Sequence, residues 1–222
     1  MDQKRYCVVV PAYREVGRIG KVVEAIRQHC KNVVVVDDGS PDNTAKEAEA
    51  AGAVVVKHAT NLGKGVALNT GFKHARENGY EFLITMDGDG QHDPSDIPGF
   101  VEAYTNTGTP VLIGNRMDDP HTMPLVRRLT NRFMSWLLSR QMGQQVPDTQ
   151  SGYRLFKCDV LADVSVQSER FAAESEILLV LSERGVRIGS VPIKIIYRDE
   201  KSKINPVKDT LRFFQMLRRH RK

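Results

Sequence analysis

Short runs of apolar residues alternate along the chain with longer segments in which apolar residues recur every three or four positions. Runs of three to five such residues bounded by turn residues are typical of buried strands. They lie at 6–10, 33–36, 53–57, 82–86 and 111–113. The segments between them have helical spacing, as at Ile19, Val22, Val23 and Ile26. The alternation predicts an α/β fold with a Rossmann-like, mostly parallel sheet and helices on both faces.

The pattern changes after the fifth run. A helix is predicted at 125–141 and another at 173–184, with a short strand at 155–156 between them. Residues 186–188 and 191–196 predict a pair of strands or one bent strand. No internal repeat, linker or low-complexity tract interrupts the chain. We therefore expect one domain that spans all 222 residues.

Composition is ordinary for a soluble globular protein, with 41% hydrophobic and 27% charged residues. The formal net charge is +5, and basic residues cluster at the C-terminal end without interleaved stacking aromatics, which argues against nucleic-acid binding. No apolar run approaches the roughly 20 residues of a membrane span, and no signal-peptide core precedes the first strand. Cys7, Cys30 and Cys158 lack a Cys-x-x-Cys pattern, so we interpret them as inert thiols in a reducing cytosol.

Acidic residues follow three of the predicted strands, at the end where each strand stops. Glu15 follows the first, Asp37 and Asp38 follow the second, and Asp87 and Asp89 follow the fourth. Each acid alone is better explained as a turn or helix-cap residue. Together they converge on one rim, because ligands of open α/β sheets bind beyond the carboxyl ends of the strands. Two carboxylates one residue apart suit Mg²⁺, which typically uses one or two carboxylates plus substrate phosphates.

Two common nucleotide-binding motifs are missing. Gly63-Lys64-Gly65 opens a predicted helix but lacks the G-x-x-x-x-G-K-[ST] spacing of a P-loop. No G-x-G-x-x-G follows the first strand, which argues against a dinucleotide site. A sugar-phosphate nucleotidyltransferase would need a glycine-rich loop at the same place, and PAYREVGRIG does not provide one.

A specific series of motifs runs through nearly the whole chain: PAYRE, VDDGSPDNT, NLGKGVALNTGF, MDGDGQHDP, GNR, PLVRRLTNR, DTQSGYRLF, FAAESEIL and VPI. In this order and spacing the series resembles the family 2 glycosyltransferases with the GT-A fold. The subgroup it most resembles is that of the dolichyl- or polyprenyl-phosphate mannose and glucose synthases. Gly88 stands where this subgroup usually has Ala, and Asn131 stands where it often has Ser.

The resemblance implies roles for individual residues. The nucleotide-sugar pocket would be formed by Pro11, Tyr13, Glu15, Val36, Asp38, Asp87, Gly88, Arg198 and Lys203. The ligands of a bound Mg²⁺ or Mn²⁺ would be Asp87, Asp89 and Gln91. The acceptor phosphate would contact Arg127 and Asn131. The residues with catalytic roles would be Asp89, Arg116, Arg127 and Arg198.

The reaction implied is a metal-dependent, inverting transfer of a hexose, mannose or glucose, from a GDP- or UDP-linked donor to a polyprenyl or dolichyl phosphate. Negative charge on the departing diphosphate would be stabilised by the metal and the arginines. An alternative keeps the donor but uses a soluble or saccharide acceptor. A sugar hydroxyl would require a carboxylate base, for which the candidates are Asp148, Glu174 and Glu176.

The last segment, 207–222, predicts a basic amphipathic helix. Val207, Leu211, Phe214 and Leu217 lie on one side, with Phe213 beside them, and most of the basic residues lie on the other. Such a helix either packs on the domain or lies in a membrane interface with its apolar side inward. The basic end favours the interface, so we expect a cytoplasmic protein that is peripheral on the cytoplasmic face of the membrane.

Overall fold

The structure, a computed structural model, describes residues 5–117, 123–162, 164, 171–194, 196 and 206–220, and for residues 171 and 206–212 the backbone alone. The strands are β1 (Tyr6–Ala12), β2 (Val33–Asp37), β3 (Val54–Lys57), β4 (Phe82–Thr85), β5 (Val111–Asn115), β6 (Arg154–Lys157) and β7 (Ile188–Pro192). The helices are α1 (Ile19–Arg27), α2 (Thr44–Ala50), α3 (Lys64–Glu77), α4 (Ile97–Thr107), α5 (Leu125–Met142), α6 (Phe171–Glu183) and α7 (Pro206–Arg219).

The described strands form one sheet in the order β3-β2-β1-β4-β6-β5-β7. Every pairing in it is parallel except those of β6, which runs antiparallel to both β4 and β5. The sheet is therefore mostly parallel, and the predicted architecture is confirmed. Strands β1, β2, β4 and β5 run in the same direction, so their carboxyl ends lie at one edge of the sheet. Strand β6 runs in the opposite direction, so its first residue lies at that edge too.

Alternate residues of each strand serve two hydrophobic cores, one on each face of the sheet. In β2, Val34 and Val36 pack with residues of α3, α6 and α7, whereas Val33 and Val35 pack with residues of α1, α2 and α4. A strand covered on both sides reads as a continuous apolar run, which explains the four consecutive valines. The predicted placement of helices on both faces is confirmed.

One local prediction differs from the structure, and one alternative is decided by it. The segment after β4 has a 3₁₀ turn, Pro94–Asp96, before α4 begins at Ile97. A serine at 95, just before a helical pattern, predicts a helix cap at that residue. The capping side chain is instead that of Asp93, whose Oδ1 accepts a hydrogen bond from the Ser95 amide at 2.9 Å. Of the two alternatives predicted for residues 186–196, the described residues form a single strand, β7, and not a pair.

The expectation that the apolar side of the C-terminal helix faces a membrane is wrong for the side chains that the structure describes in it. Phe213, Met216 and Leu217 of α7 are buried in the core against α6, and Phe214 points outward. The Gln141 amide also donates to the carbonyl oxygens of Leu217 and His220, at 3.2 and 2.9 Å. An apolar side buried against the protein cannot also insert into a bilayer. The helix itself is present as predicted, and it packs on the domain.

The three thiols are all buried, and burial raises the pKa of each of them, that of Cys158 to about 12. A thiol with a raised pKa is a poor nucleophile, which supports their interpretation as inert. Among the described helices, none combines the length and the hydropathy needed to cross a membrane.

Candidate active site

The loop that follows β1 is hydrogen-bonded, at the edge of the sheet, to the loop that follows β2 and to the first residue of α2. The Arg14 amide donates to Ser40 Oγ and the Glu15 amide to Thr44 Oγ1, both at 3.0 Å. Arg14 has a φ of +57°, the one described non-glycine residue in the left-handed region. A backbone held in that conformation is strained, and such strain clusters at binding sites. The predicted convergence of these two strand ends is therefore present in the structure.

The Asp38 carboxylate, predicted to contact the nucleoside, already accepts three hydrogen bonds. Its donors are the amides of Leu62 and Gly63, at 2.9 and 2.7 Å, and the ring of His58 at 2.7 Å. The other ring nitrogen of His58 lies 2.9 Å from Thr70 Oγ1. Asp38 thus fastens the loop before α3 to the end of β2. His58 was not found from the sequence, because nothing marks a lone histidine 20 residues away as its partner.

Other predicted pocket residues differ in how far a ligand can reach them. Tyr13 is partly exposed, with the Arg14 guanidinium 5.2 Å from its ring centre, and Pro11 is half-buried. Glu15 is buried and pairs with Arg18 at 3.0 Å. Val36 is completely buried in the core, so its side chain is out of reach of a ligand. Arg198 and Lys203 lie outside the described residues.

Asp87, at the end of β4, forms a charged cluster with two residues from other elements. Lys64 Nζ, in the first turn of α3, lies 2.5 Å from Asp87 Oδ1 and 2.6 Å from Glu174 Oε1 of α6. Burial raises the pKa of Asp87, but the charge and hydrogen bond of Lys64 together with the charges of His92 and Arg154 outweigh it, and the pKa falls to about 2. Burial lowers the pKa of Lys64, and the two carboxylates reverse that effect and raise it.

Gly152 makes the close approach of the Asp87 and Glu174 carboxylates possible. A Cβ atom at Gly152 would stand 3.0 Å from both Asp87 Oδ2 and Glu174 Oε1, closer than side chains normally come. Thr85 Oγ1 also donates to the Gly152 carbonyl at 2.8 Å, which fixes the loop against β4. The glycine of the DTQSGYR motif therefore serves the packing of the two carboxylates.

The loop around Asp89 is held by its own backbone. Asp89 Oδ1 accepts from the Gln91 amide at 3.0 Å, and His92 Nδ1 accepts from the Asp87 amide at 3.1 Å. Burial lowers the pKa of His92, whose ring stacks on Tyr153 at 5.0 Å, so the imidazole is a neutral acceptor. Burial, and next the charge of Asp87, raises the pKa of Asp89. Among the side chains that the structure describes, Asp89 forms no ion pair.

The carboxylates of Asp87 and Asp89 fit a hard divalent cation. Both are oxygen donors on one short loop, and an ammonium group already occupies one oxygen of Asp87, so the location favours positive charge. Within the described residues, no group of three or more His, Cys, Asp or Glu side chains could enclose a metal. A cation held here would need further ligands from a substrate such as a diphosphate, as Mg²⁺ commonly does.

Arg116, just after β5, is tied to a buried carboxylate. Its Nε and Nη2 lie 2.5 and 2.7 Å from the two oxygens of Asp148, and its backbone amide donates to the same group at 3.2 Å. Arg154 is also buried and donates to the carbonyl oxygens of Ser151, Glu174 and Thr149. The sequence marked Arg116 but gave no sign of its partner, which lies 32 residues away.

The predicted acceptor residues lie on the inner side of α5. Asn131 is buried, with Nδ2 3.9 Å from Met123 Sδ, and Arg127, one turn before it, is half-buried. One turn further on, Ser135 Oγ lies 3.1 Å from Thr149 Oγ1. The inner side of α5 therefore packs on the segment that carries Asp148, close to the edge where the acids meet.

A mostly parallel sheet with acidic loops at one edge defines an α/β protein whose site suits an anionic, metal-bound substrate. The chain belongs to glycosyl transferase family 2, whose model matches residues 7–165. The predicted family is confirmed, and membership removes the nucleotidyltransferase alternative.

Relatives with named activities span most of the chain. A UDP-N-acetylglucosamine–dolichyl-phosphate N-acetylglucosaminyltransferase of Methanococcus voltae is 34% identical, over 90% of this chain and 88% of its own. An undecaprenyl-phosphate mannosyltransferase of Micrococcus luteus is 28% identical, over 88% of this chain and 85% of its own.

Among solved structures, a glucosyl-3-phosphoglycerate synthase from Mycobacterium tuberculosis, in complex with Mn²⁺, UDP-glucose and phosphoglyceric acid, superposes with a TM-score of 0.75. It is 21% identical, and the match covers 97% of this chain and 79% of that one. At this identity the likeness concerns the fold alone, and it confirms the GT-A fold.

Proposed function

We propose that this chain is a single-domain, metal-dependent, inverting glycosyltransferase that transfers a hexose from a GDP- or UDP-linked donor to a polyprenyl phosphate. The names of the relatives support the acceptor, since they act on dolichyl or undecaprenyl phosphate. They differ in the sugar, so N-acetylglucosamine joins mannose and glucose as a candidate. The proposal includes a peripheral location at the cytoplasmic face of the membrane that holds the acceptor.

The observation that carries the choice of acceptor is the pairing of the three candidate bases. Asp148 is bound to Arg116, and Glu174 to Lys64. Glu176 is buried and faces His220 at 3.4 Å. Each of these carboxylates is already engaged by another side chain and would have to leave that partner to take up a proton, whereas a sugar hydroxyl needs an available base to become a nucleophile. A phosphate acceptor is already anionic and needs none, so these pairings favour it.

The charged groups of the site suit a departing nucleoside diphosphate. Bound to Asp87 and Asp89, a divalent cation would act as a Lewis acid that neutralises the diphosphate. Lys64 is an additional cation at the same carboxylate, within reach of whatever Asp87 binds. Arg116 lies at the same edge, oriented by Asp148, so positive charge surrounds the expected position of the leaving group. The acceptor phosphate attacks the anomeric carbon from the side opposite the departing diphosphate, so the configuration of that carbon is inverted.

Arg127 is proposed to pair with the acceptor phosphate, a charge-assisted contact worth about 1.5–3 kcal/mol. Substitution Arg127→Ala should raise the acceptor KM or lower kcat by roughly ten- to a hundredfold. Binding of the donor should barely change. The matched control is Arg76→Ala, which removes an exposed arginine of α3.

The assay is a panel of GDP-mannose, UDP-glucose and UDP-N-acetylglucosamine with a purified polyprenyl phosphate, followed by mass analysis of the lipid. A glycosylated lipid phosphate is the expected product. Sugar transfer to soluble saccharides but not to the lipid would overturn the proposed acceptor. Unchanged lipid-phosphate kinetics in the Arg127 variant would overturn the role of that residue.

A further inference from the structure

Helix α5 exposes a continuous stripe of large apolar side chains to solvent. Its members, with their exposed fractions, are Leu125 (68%), Val126 (78%), Leu129 (59%), Phe133 (53%) and Trp136 (56%). At 100° per residue they fall within an arc of about 100°, on one side of the helix. A contiguous apolar patch on a soluble protein usually marks an interaction surface. These five residues are called the α5 stripe below.

Positive charge borders the stripe, and negative charge is absent from the helix. The sequence of α5, LVRRLTNRFMSWLLSRQM, contains four arginines and no acidic residue. Arg128 and Arg132 follow one margin of the stripe, and Arg140 lies one turn beyond Trp136. Arg132 and Arg140 are exposed, and Arg128 is half-buried. The outward surface therefore combines apolar side chains with cations.

The opposite side of α5 holds the helix against the body of the protein. Leu138 is completely buried in the core, and Ser135 is bonded to Thr149. The inner side also carries Asn131, which is proposed to meet the acceptor phosphate. One rigid helix thus presents the stripe outward and the acceptor residues inward.

We infer that the α5 stripe is the membrane-docking surface of this protein, and that its partner is a bilayer containing anionic phospholipids. An interfacial helix buries its apolar side at the boundary of the head groups and places its cations beside the anionic lipids. Aromatic residues such as Trp136 are enriched at that boundary. Two copies docked through this stripe about a twofold axis would bring arginines against arginines, which disfavours self-association.

This inference deepens the proposed function, because a lipid acceptor must reach the inner side of α5 from a bilayer. Membrane docking can nevertheless be measured without any donor or acceptor. Failure of docking and failure of sugar transfer are therefore separate results.

Trp136 is the only tryptophan of the chain, so its fluorescence reports on the stripe directly. The unmodified protein is titrated with vesicles of equal parts phosphatidylcholine and phosphatidylglycerol, and with pure phosphatidylcholine. Docking predicts a blue shift of the emission with the anionic vesicles and quenching by brominated acyl chains. It also predicts weaker binding at high salt, since the attraction between arginines and head groups is screened. An emission spectrum that the anionic vesicles leave unchanged would overturn the inference.

Vesicle flotation of variants supplies the second arm. The double substitution Phe133→Ser with Trp136→Ser should lower the partition coefficient by about a hundredfold, since burial of each aromatic side chain is worth roughly a factor of ten or more. The matched control is Phe214→Ser, which removes an exposed aromatic residue of α7 and should leave flotation unchanged.

Other results of the flotation experiment would contradict the inference. If the double variant and the Phe214→Ser control lose flotation equally, or if the control alone loses it, the docking surface does not lie on α5. In another such outcome, the parent protein fails to float and is a dimer in light scattering, while the double variant is a monomer. That result would identify a second copy of the chain as the occupant of the stripe. Circular dichroism spectra that match the parent establish that each variant is folded.

Discussion

Replacing Lys64 with Met tests the charged cluster at the centre of the site. Methionine keeps most of the side-chain length but removes the ammonium group that lies between Asp87 and Glu174. In the parent protein the pKa of Asp87 falls from 3.8 to about 2 on folding. A pKa lowered in this way contributes about 2 kcal/mol to the free energy of unfolding above pH 4. This contribution is lost as the pH falls through the pKa of Asp87 in the folded protein.

The sign of this pH dependence should reverse in the variant. Without Lys64, burial is opposed only by the weaker charge effects of His92 and Arg154, so we expect the pKa of Asp87 to rise and the folded state to prefer its protonated form. Stability linked to that group is then present at low pH and is lost as the pH rises through the raised value. At pH 7 we expect the variant to lose about 2–4 kcal/mol, because two charge-assisted contacts are removed from partly buried carboxylates.

The measurement is urea unfolding in EDTA at intervals between pH 3 and pH 8, with the free energy of unfolding extrapolated to water. The control is Lys73→Met on the same helix, which breaks an exposed pair with Glu77 at 3.7 Å. Exposed pairs contribute about 0.2–1 kcal/mol, so this variant should be nearly as stable as the parent. If both variants lose equal stability, or if the Lys64 variant keeps the pH dependence of the parent, Lys64 does not neutralise the cluster.

Three further predictions concern the same edge of the sheet. Asp89→Asn should nearly abolish sugar transfer while leaving the unfolding midpoint unchanged, and full activity in this variant or in excess EDTA would contradict the metal role. Gly88→Ala should be tolerated in thermal unfolding, since the nearest atom to its Cβ is 3.4 Å away, whereas Gly152→Ala should impair both stability and activity by crowding Asp87. Asp38→Ala should weaken GDP or UDP binding in calorimetry, because the loop before α3 loses its shared acceptor; unchanged nucleotide affinity would refute this.

The sequence by itself determined the strands, most of the helices and the family. The four valines of β2 illustrate the reason: a central strand covered on both faces must be apolar at every position, and this requirement is visible in a short window. The acidic loops were also visible, because a parallel sheet brings the ends of its strands to one edge. Local pattern is sufficient wherever the structural cause acts over a few residues.

The tertiary structure alone decided which charges are paired. Lys64 meets Asp87 and Glu174, which are far from it in the chain, and Arg116 meets Asp148 in the same way. These pairings show which carboxylates are already engaged by another side chain, so they bear directly on the proposed acceptor. Electrostatic partners depend on distances in space, and a single sequence contains no record of those distances.

The tertiary structure alone also decided what covers the apolar sides of the two amphipathic helices, α5 and α7. The sequence suggested that α7 faces a membrane, but Phe213, Met216 and Leu217 fill the core against α6. On α5, in contrast, the exposed stripe that ends at Trp136 has no covering element among the described residues. Apolar periodicity gives a helix a side that avoids water, but whether protein or another partner covers that side depends on what the rest of the fold packs against it.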